Sequence, residues 1–227
     1  MRHIDHSWRR PKRQKQPLTP DQCVKVRAAI ETLCVQAIEG DFKLGDCNDY
    51  LQLAYMYLYG DSPAWQPQRN DCVTFRYDGP DCDKRTDNYI TLTDSTCTLT
   101  INTANKVELH ASVVIPIHES GPKLASFLRS YQPICCEYQQ SSSPYTMMTS
   151  RDRKKMSTSH LTTRAPALFK KLGLEGYHGC IIARNTAVKP ENQSHNKRRF
   201  THEELLQEHE RARRRLHSRS AAEHFYG

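Results

Sequence analysis

The sequence lacks any hydrophobic run long enough to cross a membrane. A membrane-spanning helix needs about 20 consecutive apolar residues, and no stretch of this chain approaches that length. The basic residues 1–16 are followed by no apolar segment, so a secretory signal is not expected. These two absences favour a protein that has no membrane span and is not secreted. Together with the basic clusters described below, they favour the nucleus and the cytoplasm.

Catalytic and nucleotide-binding signatures are also missing. The chain contains no P-loop, GxGxxG, HExxH or GxSxG pattern. Nucleophilic catalysis needs a cysteine thiolate near a histidine, but 9 cysteines and 11 histidines produce such pairs by chance in any fold. The segment Gly176 to Cys180 contains one such pair, and a strand entered through a glycine turn explains it better. We therefore favour a non-enzymatic function and keep a cysteine- or metal-dependent enzyme as a second alternative.

Cysteine pairs with the spacing of zinc ligands are absent as well. Structural zinc sites usually contain at least one CxxC-type pair, and this chain has none. We expect the cysteines to be reduced thiols that mostly fill the core. We also expect the protein to have no cofactor. The weak alternative is a zinc ion bound by Cys72, Cys82, Cys135 and His178.

The chain has few apolar residues and a segregated charge. Apolar residues make up 37% of the 227 residues, below the roughly 45–50% of typical globular chains, so only part of the chain can form a core. The net charge of +8 is distributed as +5 over residues 1–20, −6 over 21–149, +6 over 150–172 and +3 over 173–227. An acidic body with basic appendages follows, and the appendages could contact the body of the same or a neighbouring copy.

Local patterns predict a helical hairpin at residues 19–60. Thr19-Pro20-Asp21-Gln22 is a capping box with proline at the first helical position, and apolar residues then recur at helical spacing as far as Gly40. A second helix is predicted from Asp46 to Tyr59, with Gly60 at its end.

The apolar period then changes to that of strands. Threonine-rich segments flank Asp94-Ser95, which predicts a tight hairpin. The connections look too short for parallel crossovers, so an antiparallel sheet is expected. The predicted strands are Cys72–Tyr77, Asn88–Thr93, Thr96–Asn102, Lys106–Pro116 and Ile134–Tyr138, with a short helix at Pro122–Tyr131.

These elements predict an α+β fold in which an N-terminal helical hairpin packs on a small antiparallel sheet. The predicted organisation is a basic disordered arm at 1–18, a core at 19–138, a Ser/Thr-rich flexible loop at 139–165, a short helix and a strand completing the core at 166–184, and a basic tail with a solvated helix at 185–227. The helix is placed at Pro166–Leu172 and the strand at Tyr177–Arg184.

Four basic clusters are the strongest functional signal. Short Lys/Arg-rich runs serve as nuclear-import signals or nucleic-acid contacts, and each neutralised phosphate releases a counterion. The residues concerned are Arg9, Arg10, Lys12, Arg13, Lys15, Arg151, Arg153, Lys154, Lys155, Lys197, Arg198, Arg199, Arg211, Arg213, Arg214 and Arg215. Solvated tails with no binding role are the plain alternative.

The favoured hypothesis is a nuclear-directed protein that binds nucleic acid, or another polyanion, through its basic segments, while the core contacts proteins. Phosphorylation within 141–163 is expected to weaken that binding by adding negative charge. The alternative from another class is a self-assembling structural protein, such as a small viral matrix or capsid-associated protein. The sequence leaves open DNA against RNA, the protein partners and the oligomeric state.

Overall fold

The computed structural model describes residues 18–57, 70–103, 112–117 and 123–174. These residues form an α+β fold in which two helices precede a mixed sheet and two follow it, as the sequence predicts for the fold class. The helices are α1 (Pro20–Glu39), α2 (Leu44–Tyr57), α3 (Leu124–Gln139) and α4 (Thr158–Lys171), with a 3-10 turn at Asn70–Thr74. The strands are β1 (Arg76–Tyr77), β2 (Tyr89–Leu92), β3 (Cys97–Ile101) and β4 (Val113–Pro116).

The start of α1 has the capping box that the sequence predicts. The Thr19 hydroxyl accepts a hydrogen bond from the Gln22 amide at 3.3 Å, and the Gln22 side chain accepts one from the Thr19 amide at 2.8 Å. Two backbone donors that a helix start leaves unpaired are thereby satisfied. The helix ends at Gly40, whose amide donates to the Gln36 carbonyl.

α2 lies in the middle of the molecule and is buried on every side. All residues from Cys47 to Tyr57 are buried, whereas the sequence predicts one apolar face. α1 packs against α2, so the predicted helical hairpin is confirmed as far as Tyr57. The polar residues of α2 are buried too, which means that they need partners from other elements.

The sheet has the order β1-β2-β3-β4. β2 and β3 form the predicted antiparallel hairpin, with Ile90 opposite Leu99. The turn is closed by Thr93 and Thr96, because the Thr93 amide donates to the Thr96 carbonyl at 2.9 Å and the Thr96 amide donates to the Thr93 hydroxyl at 2.9 Å.

The expectation of a fully antiparallel sheet is wrong, because β1 pairs with β2 in parallel. A parallel crossover normally needs a long connection, since the chain must return along the whole strand. β1 has only two residues, so the path back is short and residues 78–88 cover it without a helix.

The prediction of a strand at Ile134–Tyr138 is wrong, since these residues continue α3. A short apolar run does not distinguish a strand from a buried helix by its period alone. Leu124, Leu128, Tyr131 and Cys135 are buried at three- and four-residue spacing, which places the whole run on the inner face of one helix. Pro133 lies inside that helix at an exposed position.

The region predicted as a flexible loop at 139–165 differs most from the expectation. It contains buried side chains at Met147, Met148 and Met156, all 0% exposed, and α4 begins at Thr158 instead of Pro166. Polar residues lie between these buried ones in the sequence, so the composition of the segment does not indicate that it is packed. The predicted strand at 177–184, the arm and the tail lie outside the described residues, as do residues 106–111 of the predicted strand Lys106–Pro116.

Candidate nucleic-acid interface

One of the four basic clusters lies in the described part of the chain. The clusters at 9–15, 197–199 and 211–215 fall outside it. The cluster at 151–155 lies at the end of a short antiparallel ribbon, residues 147–156, which we call the basic hairpin. Met148 is bridged to Lys155, the Thr149 amide donates to the Lys154 carbonyl at 2.9 Å, and the Met156 amide donates to the Met147 carbonyl at 3.1 Å.

The tip of the basic hairpin is fixed by Asp152. Its carboxylate accepts hydrogen bonds from the Thr149 hydroxyl and from the Lys154 amide. The hydrogen bond from the Thr149 side chain is the main reason that the pKa of Asp152 is lowered, so the carboxylate stays ionised. Asp152 is also the single acidic residue between positions 138 and 174, and the surrounding cations therefore dominate the local charge.

The basic hairpin is anchored to α2 through Asn48. The Asn48 side-chain amide donates to the Met148 carbonyl at 2.8 Å, and the Met148 amide donates back to the Asn48 side-chain oxygen at 3.4 Å. Both residues are buried. A side chain that pairs with both polar groups of a buried residue fixes the position of that backbone.

The chain leading into the hairpin is attached to the edge of the sheet. The Tyr77 amide donates to the Pro144 carbonyl at 2.8 Å, and the Thr146 amide donates to the Phe75 carbonyl at 2.9 Å. These bonds add residues 144–146 beside β1. The hairpin is thus held by the sheet on one side and by α2 on the other.

Four cations project from this fixed base. Arg151, Arg153, Lys154 and Lys155 are all exposed. The Arg153 guanidinium lies 4.5 Å from the centre of the Tyr138 ring, and the Lys155 ammonium lies 5.3 Å from that of Tyr145. Both distances are within the range of a cation–π contact.

Tyr145 is held in place by several partners. Its amide donates to the Gln139 side-chain oxygen at 3.0 Å, and its carbonyl accepts from the Gln139 side-chain amide at 2.8 Å. The Arg76 guanidinium also lies 5.1 Å from the ring centre. Arg76 already donates to Asp87 at 2.8 Å and to the Ser143 carbonyl at 2.9 Å. It therefore stabilises this surface, and the four hairpin cations are the charges available to a ligand here.

Arg164 differs from the hairpin cations in its role. Its guanidinium donates to the Asp49 carboxylate at 2.9 Å and to the Gly45 carbonyl at 2.8 Å. This partly buried ion pair ties α4 to α2. The basic charge of α4 that stays exposed lies at its C-terminal end, at Lys170 and Lys171, where cations favour the helix dipole.

The zinc candidates that lie among the described residues do not form a metal site. Cys72, Cys82 and Cys135 are buried on the 3-10 turn, the loop after β1 and α3 respectively, and His178 lies outside the described residues. Across residues 18–57, 70–103, 112–117 and 123–174, no three His, Cys, Asp or Glu side chains are placed to hold a metal ion together.

The buried thiols are also poorly suited to nucleophilic catalysis. Burial raises the pKa of the Cys47 thiol to about 12, and burial likewise raises the pKa of Cys135. Both thiols adjoin the buried hydroxyl of Tyr131. A nucleophilic cysteine needs a lowered pKa, so these two residues serve packing, as the sequence predicts for most of its cysteines.

The aromatic part of this surface is not predicted from the sequence. The local patterns predict a strand at Tyr138 and a flexible loop at Tyr145. The available signal was that both tyrosines come within 16 residues of the cluster at 151–155. The anchoring by Asn48 has no local signal, since it joins residues 100 positions apart.

Comparison with known proteins gives no relative. No protein-family model, no curated protein and no solved structure matches the chain significantly. The helices of the described residues include none with the length and apolarity needed to span a membrane.

Proposed function

We propose that this protein is a non-enzymatic, nuclear-directed protein that binds nucleic acid through phosphate contacts, with the basic hairpin as an ordered contact element. The observation that carries the proposal is the combination of four exposed cations on one anchored hairpin with two tyrosine rings directly beneath them. The basic clusters at 9–15, 197–199 and 211–215 would add phosphate contacts, and the core would bind proteins.

The chemistry of the hairpin suits an extended polyanion. Arginine guanidinium groups bind phosphate oxygens in a bidentate manner, and lysines act as point charges. Contacts of this kind position a protein on nucleic acid without reading its sequence. Because the backbone of the hairpin is already fixed, less conformational entropy is lost on binding than with a disordered arm.

The two tyrosines favour a single strand over a duplex. Arg153 and Lys155 cover the rings of Tyr138 and Tyr145 in the free protein. When these cations turn outward to phosphates, ring surface becomes available for unpaired bases, whose stacking on aromatic side chains is sequence-tolerant. Bases inside a duplex are not available for such stacking.

The test is fluorescence anisotropy of the full chain with a labelled single strand and a labelled duplex over a salt series. The variant replaces Arg151, Arg153, Lys154 and Lys155 by glutamine. Its matched control replaces four other exposed cations, Lys43, Arg85, Lys170 and Lys171, and so removes the same charge. We expect the hairpin variant to lose about tenfold or more in affinity at low salt. For a single strand, the slope of log affinity against log salt concentration should become shallower by about 2–3.

Two results would overturn the proposal. If the full chain binds neither probe at low salt, nucleic-acid binding is wrong, and the basic clusters act as import signals or assembly arms. If the hairpin variant and its control weaken binding equally, the hairpin is not the contact element and total charge alone governs the affinity.

A further inference from the structure

α1 carries a second apolar stripe on the side that faces away from the core. Its inner face buries Val26, Ile30, Leu33, Cys34 and Ala37. Of the four large apolar side chains that stay exposed in the described part of the chain, three lie on α1: Val24 is 67% exposed, Val35 51% and Ile38 44%. Exposed apolar side chains scattered singly need no explanation, but three on one helix face do.

The spacing of this outer stripe is that of a coiled-coil seam. Positions 24, 28, 31, 35 and 38 follow one another at alternating intervals of four and three residues, the repeat that keeps a seam facing a partner helix. Ala28, which is exposed, is small enough to let another helix approach closely. The stripe therefore fits a second helix of matching spacing.

The charges beside the stripe identify that second helix. Lys25 and Glu39 are exposed near opposite ends of α1, 14 residues apart, which is four helical turns within about 40° and places both on the same flank. In a parallel pair, the flank that carries Lys25 and Glu39 lies on opposite sides of the seam in the two copies, so Lys25 cannot meet Glu39. An antiparallel copy sets Lys25 against Glu39 at both ends, with Thr32 near the two-fold axis.

We infer that the outer face of α1 is a self-association surface on which a second copy of the chain packs antiparallel. The stripe from Val24 to Ile38 is about 22 Å long, and one helix pair of that length buries less than a standard protein interface. The dimer is therefore weak, reversible and dependent on concentration. This inference does not depend on nucleic-acid binding, because it uses a different surface.

Glu31 sets the strength of the dimer. It occupies the middle of the stripe and is exposed, so the two-fold axis brings the Glu31 carboxylates of both copies close together. Like charges at the centre oppose association, while the apolar contacts at both ends favour it. E31Q removes the repulsion and keeps the shape of the side chain, so it strengthens the dimer several-fold.

The first experiment is sedimentation velocity of the full chain, free of nucleic acid, from low micromolar to millimolar concentration. We expect a monomer–dimer equilibrium that V35K and I38K weaken about tenfold or more, because they place a charge in the apolar seam. V114K is the matched control, since Val114 is 56% exposed and lies on β4, outside the stripe on α1. A wild-type chain that stays monomeric, or a dimer that V35K leaves unchanged, overturns the inference.

The second experiment tests the antiparallel orientation. K25E and E39K agree with the helix dipole, so neither is expected to destabilise α1, and circular dichroism checks this. Each variant alone should dimerise more weakly than the wild type, because like charges now meet at both ends. A mixture of the two should restore association as a heterodimer, seen by native mass spectrometry. If mixing restores nothing, the antiparallel pairing is wrong.

Discussion

Asn48 is 1% exposed on α2, and its side-chain amide pairs with both the amide and the carbonyl of Met148. A shorter apolar residue at this position would leave two buried backbone groups of the hairpin without partners. The cost of an unpaired buried group is about 1–3 kcal/mol. At the scale of single residues, polar side chains on a central helix thus determine where the basic hairpin lies.

We expect Asn48→Ala to lower the free energy of unfolding by about 2–3 kcal/mol, measured by urea denaturation of the full chain. Gln36→Ala on the exposed face of α1 is the control and should change that free energy by less than about 0.5 kcal/mol. Equal effects of the two substitutions would mean that the Asn48 contacts contribute nothing.

At the scale of elements, the fold buries some hydroxyl side chains in and around the basic hairpin and exposes others, a difference that the sequence does not show. Ser143 and Thr146 are 0% exposed, so a kinase cannot reach them in the folded protein. Ser150 is exposed at the tip of the hairpin, and Thr163 is exposed on α4. Among the exposed hydroxyl residues of 141–163, Ser150 is directly next to Arg151, so we expect phosphorylation there to affect binding most.

We expect S150E to weaken binding of a single-stranded probe several-fold, because the carboxylate offsets the charge of the adjacent arginine. T163E adds the same charge on α4 and should weaken binding less. Anisotropy of both variants in the same buffer measures the difference. If T163E weakens binding as much as S150E, the position of the charge is unimportant and the hairpin is not the contact.

Elements with strong local signals were predictable, and the others were not. The capping box at Thr19 and the turn at Asp94-Ser95 depend on neighbours in sequence, so α1 and the β2–β3 hairpin were found. The run Ile134–Tyr138 gives no local choice between strand and helix. Its place in α3 follows from burial of Tyr131 and Cys135 against the rest of the core.

At the scale of the whole molecule, buried thiol and phenol groups make the free energy of unfolding depend on pH in the alkaline range. Burial raises the pKa of Cys47 from 9.0 to about 12, and it raises those of Tyr55 and Tyr77 well above their ordinary value. Below pH 9 the Cys47 thiol keeps its proton in both the folded and the unfolded chain. Above pH 9 the unfolded chain releases that proton and the folded chain retains it, so the unfolded state gains stability.

We therefore expect the free energy of unfolding to fall as the pH rises above about 9, by up to about 1.4 kcal/mol per pH unit for each such group. Urea denaturation at intervals from about pH 8 to pH 10.5 measures the slope. Cys47→Ala should make the slope shallower. A free energy of unfolding that does not change with pH over this interval would contradict the assignment.

Composition and neighbours a few residues apart are enough to predict the fold class, the helical hairpin, the β2–β3 turn and the position of the charged clusters. The parallel pairing of β1, the burial of α2 on all sides and the anchored form of residues 147–156 are visible only in the folded structure. The parallel pairing joins residues 13 positions apart. The other two features depend on contacts such as Asn48 with Met148 and Asp49 with Arg164, which join residues 100 or more positions apart. Local periodicity does not predict such contacts, since they form only once the chain has folded.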